Sequence, residues 1–265
     1  MLLAIDCGNT TLTAALAADR AAVAAAEPGR SRHASTPAAA TADEVEILLD
    51  GLLGLDGRHL AEVTRIVMSS VVPRVGASVA AVAARHHVPL LEATAATVPL
   101  PVRVDRPAEV GPDRLVNALA AARLHGTPAI VVDIGTATTV DAVGADGAFL
   151  GGAIAAGPEL SLAALASRTA KLPHVGLAGT PRAIGRDTAE ALRSGAVHGQ
   201  VGAVRELIDR VRDELATLAQ GGRPVVLLTG GGSRLPWAAG IAGVDVVDPD
   251  LTLRGLLVLA AEGRW

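Results

Sequence analysis

Three segments rich in glycine and hydroxyl side chains follow apolar runs, and their composition could hold phosphate groups. They are Asp6-Cys7-Gly8-Asn9-Thr10, Asp133-Ile134-Gly135-Thr136-Ala137-Thr138-Thr139 and Thr229-Gly230-Gly231-Gly232-Ser233. A glycine turn lets backbone N–H groups approach phosphate oxygens, because no Cβ stands in the way. An aspartate beside phosphate needs a cation such as Mg²⁺ between the two negative charges. The alternatives are ordinary hairpin turns for the first two segments and a strand-to-helix turn for the third.

The first two segments are copies of one pattern. Leu3–Thr10 resembles Val131–Thr136, both are followed by a β-branched hairpin arm, and they lie about half the chain apart. Two nucleotide-binding copies predict a duplicated α/β protein of two lobes with a central cleft. We place the lobes at residues 1–115 and 116–265.

A fourth segment, Gly111-Pro112-Asp113-Arg114, precedes an apolar-periodic helix. Asp113 could accept a proton from a substrate hydroxyl, and Arg114 could hold a carboxylate or a phosphate. The alternative is structural, because the helix dipole favours an acidic residue in the first turn.

Composition excludes several classes of protein. With 27 acidic and 23 basic side chains, 1% aromatic residues and no tyrosine, the 265-residue chain lacks the positive charge and the stacking surfaces of nucleic-acid binders. Cys7 is the only cysteine, which excludes a disulfide framework, and the seven histidines lack metal-ligand spacing. Lys171, the only lysine, follows no glycine, which excludes a Walker A loop. No long uncharged apolar run or basic leader occurs, so we expect a cytoplasmic protein without membrane contact.

The apolar periodicity predicts alternating strands and helices. Thr41 and Glu44 form a capping-box pattern at the start of one helix. We expect residues 19–41 to be a weak strand with loop, and residues 94–109 to be loop. The predicted strands are 2–5, 11–17, 65–69, 88–91, 127–133, 140–143, 148–150 and 224–228, and the predicted helices are 42–53, 74–86, 112–124, 157–170 and 186–219, with a helix, a short strand and a helix after them.

Eight short motifs occur in order along the chain, at residues 6–10, 69–73, 109–114, 133–139, 151–154, 169–173, 185–188 and 228–231. In combination they resemble the type III pantothenate kinase family. The resemblance implies the duplicated actin-like/Hsp70/sugar-kinase fold, which is ribonuclease H-like. It also implies a homodimer that phosphorylates pantothenate with ATP, the first step of coenzyme A biosynthesis, using Mg²⁺ or another divalent cation and K⁺ or NH₄⁺. The chain departs from the family pattern at Val104, Pro112 and Ala156.

The same resemblance implies roles for individual residues. Asp6 would face Mg²⁺ through the phosphates, Asp133 would hold the monovalent cation, and Asp113 would be the catalytic base. Thr188 would reach pantothenate across the dimer. The implied ATP-binding residues are Asp6, Cys7, Gly8, Asn9, Thr10, Thr11, Leu12, Thr13 and Thr136, and the implied pantothenate-binding residues are Gly111, Pro112, Asp113, Arg114 and Thr188.

Two other functions stay open at this stage. One is another small-molecule kinase of the same fold, and the other is a non-catalytic nucleotide-binding factor with an accessory or regulatory role. Asp6, Asp113, Arg114 and Asp133 together favour an enzyme, because a binding module has no need of a base.

Overall fold

A computed structural model describes residues 1–169, 171–218, 222–263 and 265. Packing divides the chain into two compact units, Met1–His125 with Asp250–Trp265, and Gly126–Pro249. We call them unit 1 and unit 2.

The described residues alternate between strands and helices, as the sequence predicts. The strands are β1 Leu2–Cys7, β2 Thr11–Ala17, β3 Arg32–Ser35, β4 Arg65–Ser70, β5 Leu90–Glu92, β6 Ala129–Ile134, β7 Ala137–Val143, β8 Phe149–Ala156, β9 Val225–Thr229 and β10 Val246–Val247. The helices are α1 Arg20–Ala24, α2 Ala42–Gly54, α3 Pro73–Arg85, α4 Pro112–Ala120, α5 Pro158–Arg168, α6 Thr188–Leu218 and α7 Leu251–Glu262.

Each unit contains one five-stranded sheet of the same topology. The order is β3-β2-β1-β4-β5 in unit 1 and β8-β7-β6-β9-β10 in unit 2. In both sheets the first three strands are antiparallel and the last two run parallel to the central strand, β1 or β6. The sequence repeat therefore corresponds to a repeat of whole sheets.

The unit 1 sheet is covered on both faces. Leu3 and Ile5 of β1 pack with Leu49 of α2 and Val79 of α3 in one hydrophobic core. On the opposite face, α4 contacts β4, and α7 contacts both β1 and β4. A strand buried on both faces needs a continuous apolar run, which explains the composition of residues 2–5.

Helices α4 and α7 approach each other closely. A Cβ on Gly255 of α7 would overlap the backbone carbonyl of Val116 in α4, so only glycine allows this contact. The packing therefore assigns both helices to unit 1. The division at residues 115 and 116 that the sequence suggests would instead cut α4 and assign α7 to the second half.

In unit 2 the long helix α6 covers the sheet. Val197, Val204 and Ile208 pack on Ile130 and Val132 of β6. A buried hydrogen bond also joins α6 to the sheet: the Gln200 amide donates to Thr138 Oγ1 of β7 at 2.9 Å.

Local sequence signals define most element boundaries. The capping box of α2 forms as predicted, with Thr41 Oγ1 accepting from the Glu44 N–H and Glu44 accepting from the Thr41 N–H. Helix α6 begins at Thr188 rather than at residue 186, because the Asp187 carboxylate accepts the Glu190 N–H at 2.8 Å. The expected ends of two helices, Ala170 and Ala219, lie outside the described residues; Ala170 is also the second residue of the motif at residues 169–173.

The segment from residue 19 to residue 41 contains the expected short strand, β3, but differs from the expectation at its start. It contains the short helix α1, whose N-terminus is capped by Asp19 accepting from the Ala22 N–H at 2.9 Å. Across the described part of the chain, no helix combines the length and the apolar character needed to cross a membrane.

Candidate active site

The turn after β1 is fixed by backbone and hydroxyl contacts. The Gly8 N–H donates to the Thr11 carbonyl at 3.0 Å, and Thr36 Oγ1 donates to the Gly8 carbonyl at 2.6 Å. Asn9 and Thr11 are exposed, and the Asp6 side chain is half-buried at the end of the strand. The turn therefore presents polar groups to solvent from a rigid base, as a phosphate-binding turn requires.

Two predicted ATP-binding residues in this segment point their side chains into the core. Cys7 and Leu12 are fully buried in the core that α2 and α3 cover, so only their backbone atoms could contact a ligand. Burial, reinforced by the nearby Asp6 charge, raises the pKa of the Cys7 thiol to about 12. The thiol is therefore neutral and not a nucleophile.

The corresponding loop of unit 2 is held by the start of α5. The Gly135 N–H donates to the Ala137 carbonyl at 2.9 Å, and the Gly157 N–H donates to the Thr136 carbonyl at 2.9 Å. A Cβ on Gly157 would overlap the carbonyl oxygens of Gly135 and Thr136. Thr136 remains exposed. Gly157 is not among the predicted site residues, because its only signal in the sequence is a glycine before the proline that starts a helix.

The third glycine segment closes on Asp133. Gly230 has a φ of +82°, and a Cβ there would overlap the Asp133 carboxylate and the Ile134 carbonyl. A residue with a side chain would therefore displace the carboxylate and suffer backbone strain as well. The glycines of this segment thus position the carboxylate predicted to hold a cation.

Asp113 lies in the first turn of α4. Pro112 occupies the first helical position. A backbone N–H at this position has no acceptor within the helix, so proline, which lacks the N–H, is tolerated there. The Asp113 carboxylate accepts a hydrogen bond of 2.8 Å from the Arg114 N–H, and a Cβ on Gly111 would collide with it.

The environment of Asp113 changes its acidity. Burial raises the pKa of the Asp113 carboxyl above its ordinary value, and the Arg114 N–H and the Arg114 charge only partly offset this effect. A carboxylate with a raised pKa is a stronger base, so the geometry suits proton acceptance.

The predicted site residues divide between the two units. Asp6 lies on the face of the unit 1 sheet where α4 packs, since Leu3, Ile5 and Cys7 alternate to the other face. The segment Gly111–Arg114 therefore begins a helix on the same face as Asp6. Asp133, Thr136 and Thr188 belong to unit 2, where Thr188 is exposed at the start of α6.

The surroundings of Asp6 and Asp133 fit cations that are coordinated partly by the protein and partly by phosphates and waters. In the described ranges, no three His, Cys, Asp or Glu side chains gather as a metal site. Mg²⁺ in phosphate-transferring sites uses one or two carboxylates, and substrate phosphates and waters complete its coordination. Asp6 beside a glycine turn matches that pattern. It does not match a metal site in which protein side chains supply all the ligands.

Comparison with known proteins agrees with these features. A family model described as type III pantothenate kinase matches residues 2–210. A type III pantothenate kinase from Moorella thermoacetica is 38% identical over 98% of both chains, and one from Thermomicrobium roseum is 43% identical over 97% of this chain and 95% of the relative. The solved activator of the 2-hydroxyisocaproyl-CoA dehydratase from Clostridium difficile, with bound ADPNP, has a TM-score of 0.51 at 13% identity, covering 98% of this chain and 93% of that chain. This last likeness concerns the fold alone.

Proposed function

The chain belongs to the type III pantothenate kinase family, and we propose that Asp113 is the general base of its reaction. It is a kinase that phosphorylates pantothenate with ATP to give 4'-phosphopantothenate, the first step of coenzyme A biosynthesis. Its fold is the duplicated actin-like ATPase fold, in which each unit carries one ribonuclease H-like sheet.

The raised pKa of Asp113 in a half-buried, oriented carboxylate is the observation that carries this assignment. The primary hydroxyl of pantothenate is a poor nucleophile at neutral pH. The Asp113 carboxylate accepts its proton while the oxygen–phosphorus bond forms, and ADP leaves as the bond from the γ-phosphorus to the bridging oxygen breaks. Such base catalysis contributes about 10²–10⁴-fold to the rate.

We assign nucleotide binding to the two glycine turns and their hydroxyls. Residues Asp6–Thr13 bind the phosphates, with Cys7 and Leu12 contributing backbone groups because their side chains are in the core. Thr136 also binds ATP, supported by its exposure on a loop that Gly157 fixes. Backbone N–H groups in such turns bind phosphate without a side-chain cation.

Two kinds of cation complete the proposed site. Asp6 faces Mg²⁺ or another divalent cation bound to the phosphates, and Asp133 holds K⁺ or NH₄⁺. When bound, these cations neutralise charge on the transferred phosphoryl group. The position of Asp133 against Gly230 supports its role as a cation ligand. Only a glycine at position 230 leaves space for the Asp133 carboxylate.

The remaining assignments concern pantothenate and a second copy of the chain. Gly111, Pro112 and Arg114 bind pantothenate together with Asp113, and Arg114 pairs with the substrate carboxylate. Thr188 contacts pantothenate bound to the partner copy of a homodimer. Because ATP is its phosphoryl donor, we expect the enzyme to act in the cytoplasm.

The test is an ADP-release assay with purified protein, ATP, Mg²⁺ and K⁺, with and without pantothenate. We expect release that depends on pantothenate and on K⁺ or NH₄⁺, and that Asp113→Asn abolishes. Asp213→Asn, an exposed carboxylate on α6, is the matched control. Nucleotide binding without pantothenate-dependent release would instead indicate the accessory, non-catalytic function.

A further inference from the structure

Each of the two proposed cation-binding carboxylates has a buried hydroxyl beside it in the next parallel strand. Asp6 of β1 pairs in register with Ser69 of β4, and Asp133 of β6 pairs in register with Thr229 of β9. Ser69 and Thr229 are both completely buried. Neither hydroxyl oxygen has a hydrogen-bond partner among the described residues.

Strand alternation places each hydroxyl on the same face as its carboxylate. Residues opposite each other in neighbouring strands point to the same side of a sheet. In unit 1, Ile5 and Met68 enter the core under α2 and α3, so Asp6 and Ser69 lie on the opposite face. In unit 2, Val132 and Leu228 enter the core under α6, so Asp133 and Thr229 lie on the opposite face.

The other buried hydroxyl side chains that the structure describes have partners. Ser78 donates to the Ala40 carbonyl at 3.1 Å, Ser194 donates to the Ala183 carbonyl at 2.7 Å, Ser233 donates to the Gly230 carbonyl at 2.6 Å, and Thr138 accepts from Gln200. The two hydroxyls without a partner are thus the two beside the carboxylates.

A buried hydroxyl without a partner lowers the stability of the fold, because its desolvation is not compensated. Alanine or valine at these strand positions would avoid that loss, and the positions two residues earlier are indeed apolar, Val67 and Leu227. The same loss at equivalent positions of both units points to a shared ligand chemistry rather than to packing.

We propose that Ser69 and Thr229 are positioning residues for the cations of the phosphotransfer site. When the cation is bound, each hydroxyl donates a hydrogen bond to the neighbouring carboxylate and holds it toward the cation. Ser69 thereby supports the magnesium-bound nucleotide at Asp6, and Thr229 supports the monovalent cation at Asp133. This inference rests on the proposed roles of Asp6 and Asp133.

The experiment measures thermal unfolding and ligand binding of the full chain, without turnover. Ser69→Ala should unfold at the same or a higher temperature than the wild type, whereas its dissociation constant for Mg²⁺ with the non-hydrolysable analogue AMPPNP should rise about 2- to 10-fold. Thr229→Val should likewise bind K⁺ more weakly without losing stability. K⁺ binding is measured from the unfolding temperature while K⁺ replaces choline at constant ionic strength, as the K⁺ concentration that gives half of the full increase.

Two controls separate this role from an ordinary structural one. Ser78→Ala loses a hydroxyl that has a partner inside unit 1, so it should lower the unfolding temperature and leave AMPPNP binding unchanged. Thr229→Ser keeps the hydroxyl and should restore wild-type K⁺ binding.

Three outcomes would overturn the proposal: unchanged ligand binding in Ser69→Ala and Thr229→Val, failure of Thr229→Ser to restore K⁺ binding, or a drop in the unfolding temperature of either unligated variant as large as that of Ser78→Ala. The roles of Asp6 and Asp133 are tested separately by Asp6→Asn and Asp133→Asn. If those variants bind AMPPNP and K⁺ like the wild type, the proposed function is wrong at these residues and the role of the hydroxyls falls with it.

Discussion

Asp113 has both properties of a catalytic base, a raised pKa and an orientation fixed by the Arg114 N–H. We therefore expect Asp113→Asn to lower kcat by at least about 100-fold, because asparagine keeps the shape of the side chain but cannot accept the proton. The dissociation constant for ATP should change little, since we propose that the glycine turns, and not Asp113, bind the nucleotide. Steady-state kinetics and calorimetric ATP binding, with Asp213→Asn as control, measure the two effects. A variant that keeps more than about a tenth of wild-type kcat would make Asp113 a helix-capping residue.

The raised pKa of Asp113 also predicts a gain in stability when the carboxyl is removed. Between its unfolded and its higher folded pKa, the folded protein binds more protons than the unfolded chain, so the free energy of unfolding falls as pH rises through this window. At neutral pH the ionised carboxylate lowers stability, and Asp113→Asn should therefore unfold at a higher denaturant concentration than the wild type. Urea unfolding at pH 7 measures this. Equal midpoints would mean that burial does not perturb Asp113.

Cys7 allows a direct test of burial, because it is the only cysteine of the chain. Burial and the Asp6 charge raise the pKa of the thiol to about 12, so little thiolate exists at pH 8. We expect the native protein to react with a disulfide reagent such as DTNB much more slowly than the urea-unfolded protein does. Absorbance during the reaction measures both rates, and fast labelling of the native protein would contradict the position of Cys7 in the core.

At the scale of elements, the junction between β8 and α5 supports the Thr136 loop. We expect Gly157→Ala to weaken ATP binding and lower stability, because a Cβ would displace the carbonyls of Gly135 and Thr136. Overpacking of this kind costs about 1–3 kcal/mol. Gly195→Ala is the matched control, since a Cβ there meets no atom within 4 Å outside the neighbouring backbone of its own helix, and alanine favours a helix over glycine by up to about 1 kcal/mol. Calorimetric ATP binding and thermal unfolding compare the two variants, and equal behaviour would exclude a role for Gly157 in holding the loop.

Elements with strong local signals were predictable from the sequence. The capping box of Thr41 and Glu44 sets the start of α2, and the β2 boundaries match the prediction at both ends. The helix α1 was missed because an alanine-rich stretch of five residues has no apolar period, and its Asp19 cap resembles a turn residue. For the site, the sequence predicts the glycine turns, whereas Ser69 and Thr229 become visible only through the register of parallel strands, which are distant in sequence.

At the scale of the whole molecule, duplication gives the chain two equivalent polar positions, each at the carboxyl end of the central strand of a sheet. Asp6 pairs with Thr13 and Ser69, and Asp133 pairs with Thr139 and Thr229. An exposed turn follows both aspartates, but the surroundings differ because Gly230 closes on the Asp133 carboxylate. This difference agrees with the proposal that the two aspartates bind different cations.

The final prediction concerns association between two copies of the chain. Several large apolar side chains of unit 2, among them Ile154, Leu165 and Ile184, are exposed, and Ile184 is 82% accessible just before Thr188. Exposed large apolar side chains are a feature of protein interfaces. We expect a dimer by multi-angle light scattering at micromolar concentration, and we expect Ile184→Glu to shift it toward the monomer, because a charge buried at an interface is costly.

Ile47→Glu on α2 is the matched control, since Ile47 is 73% accessible and lies in unit 1. If Thr188 binds pantothenate of the partner copy, Ile184→Glu should raise the KM for pantothenate at protein concentrations where the dimer dissociates, and Ile47→Glu should not. The defect should shrink as protein concentration rises, because mass action restores the dimer. A wild-type monomer with full activity would contradict the shared site, and so would a KM defect of Ile184→Glu that is independent of protein concentration.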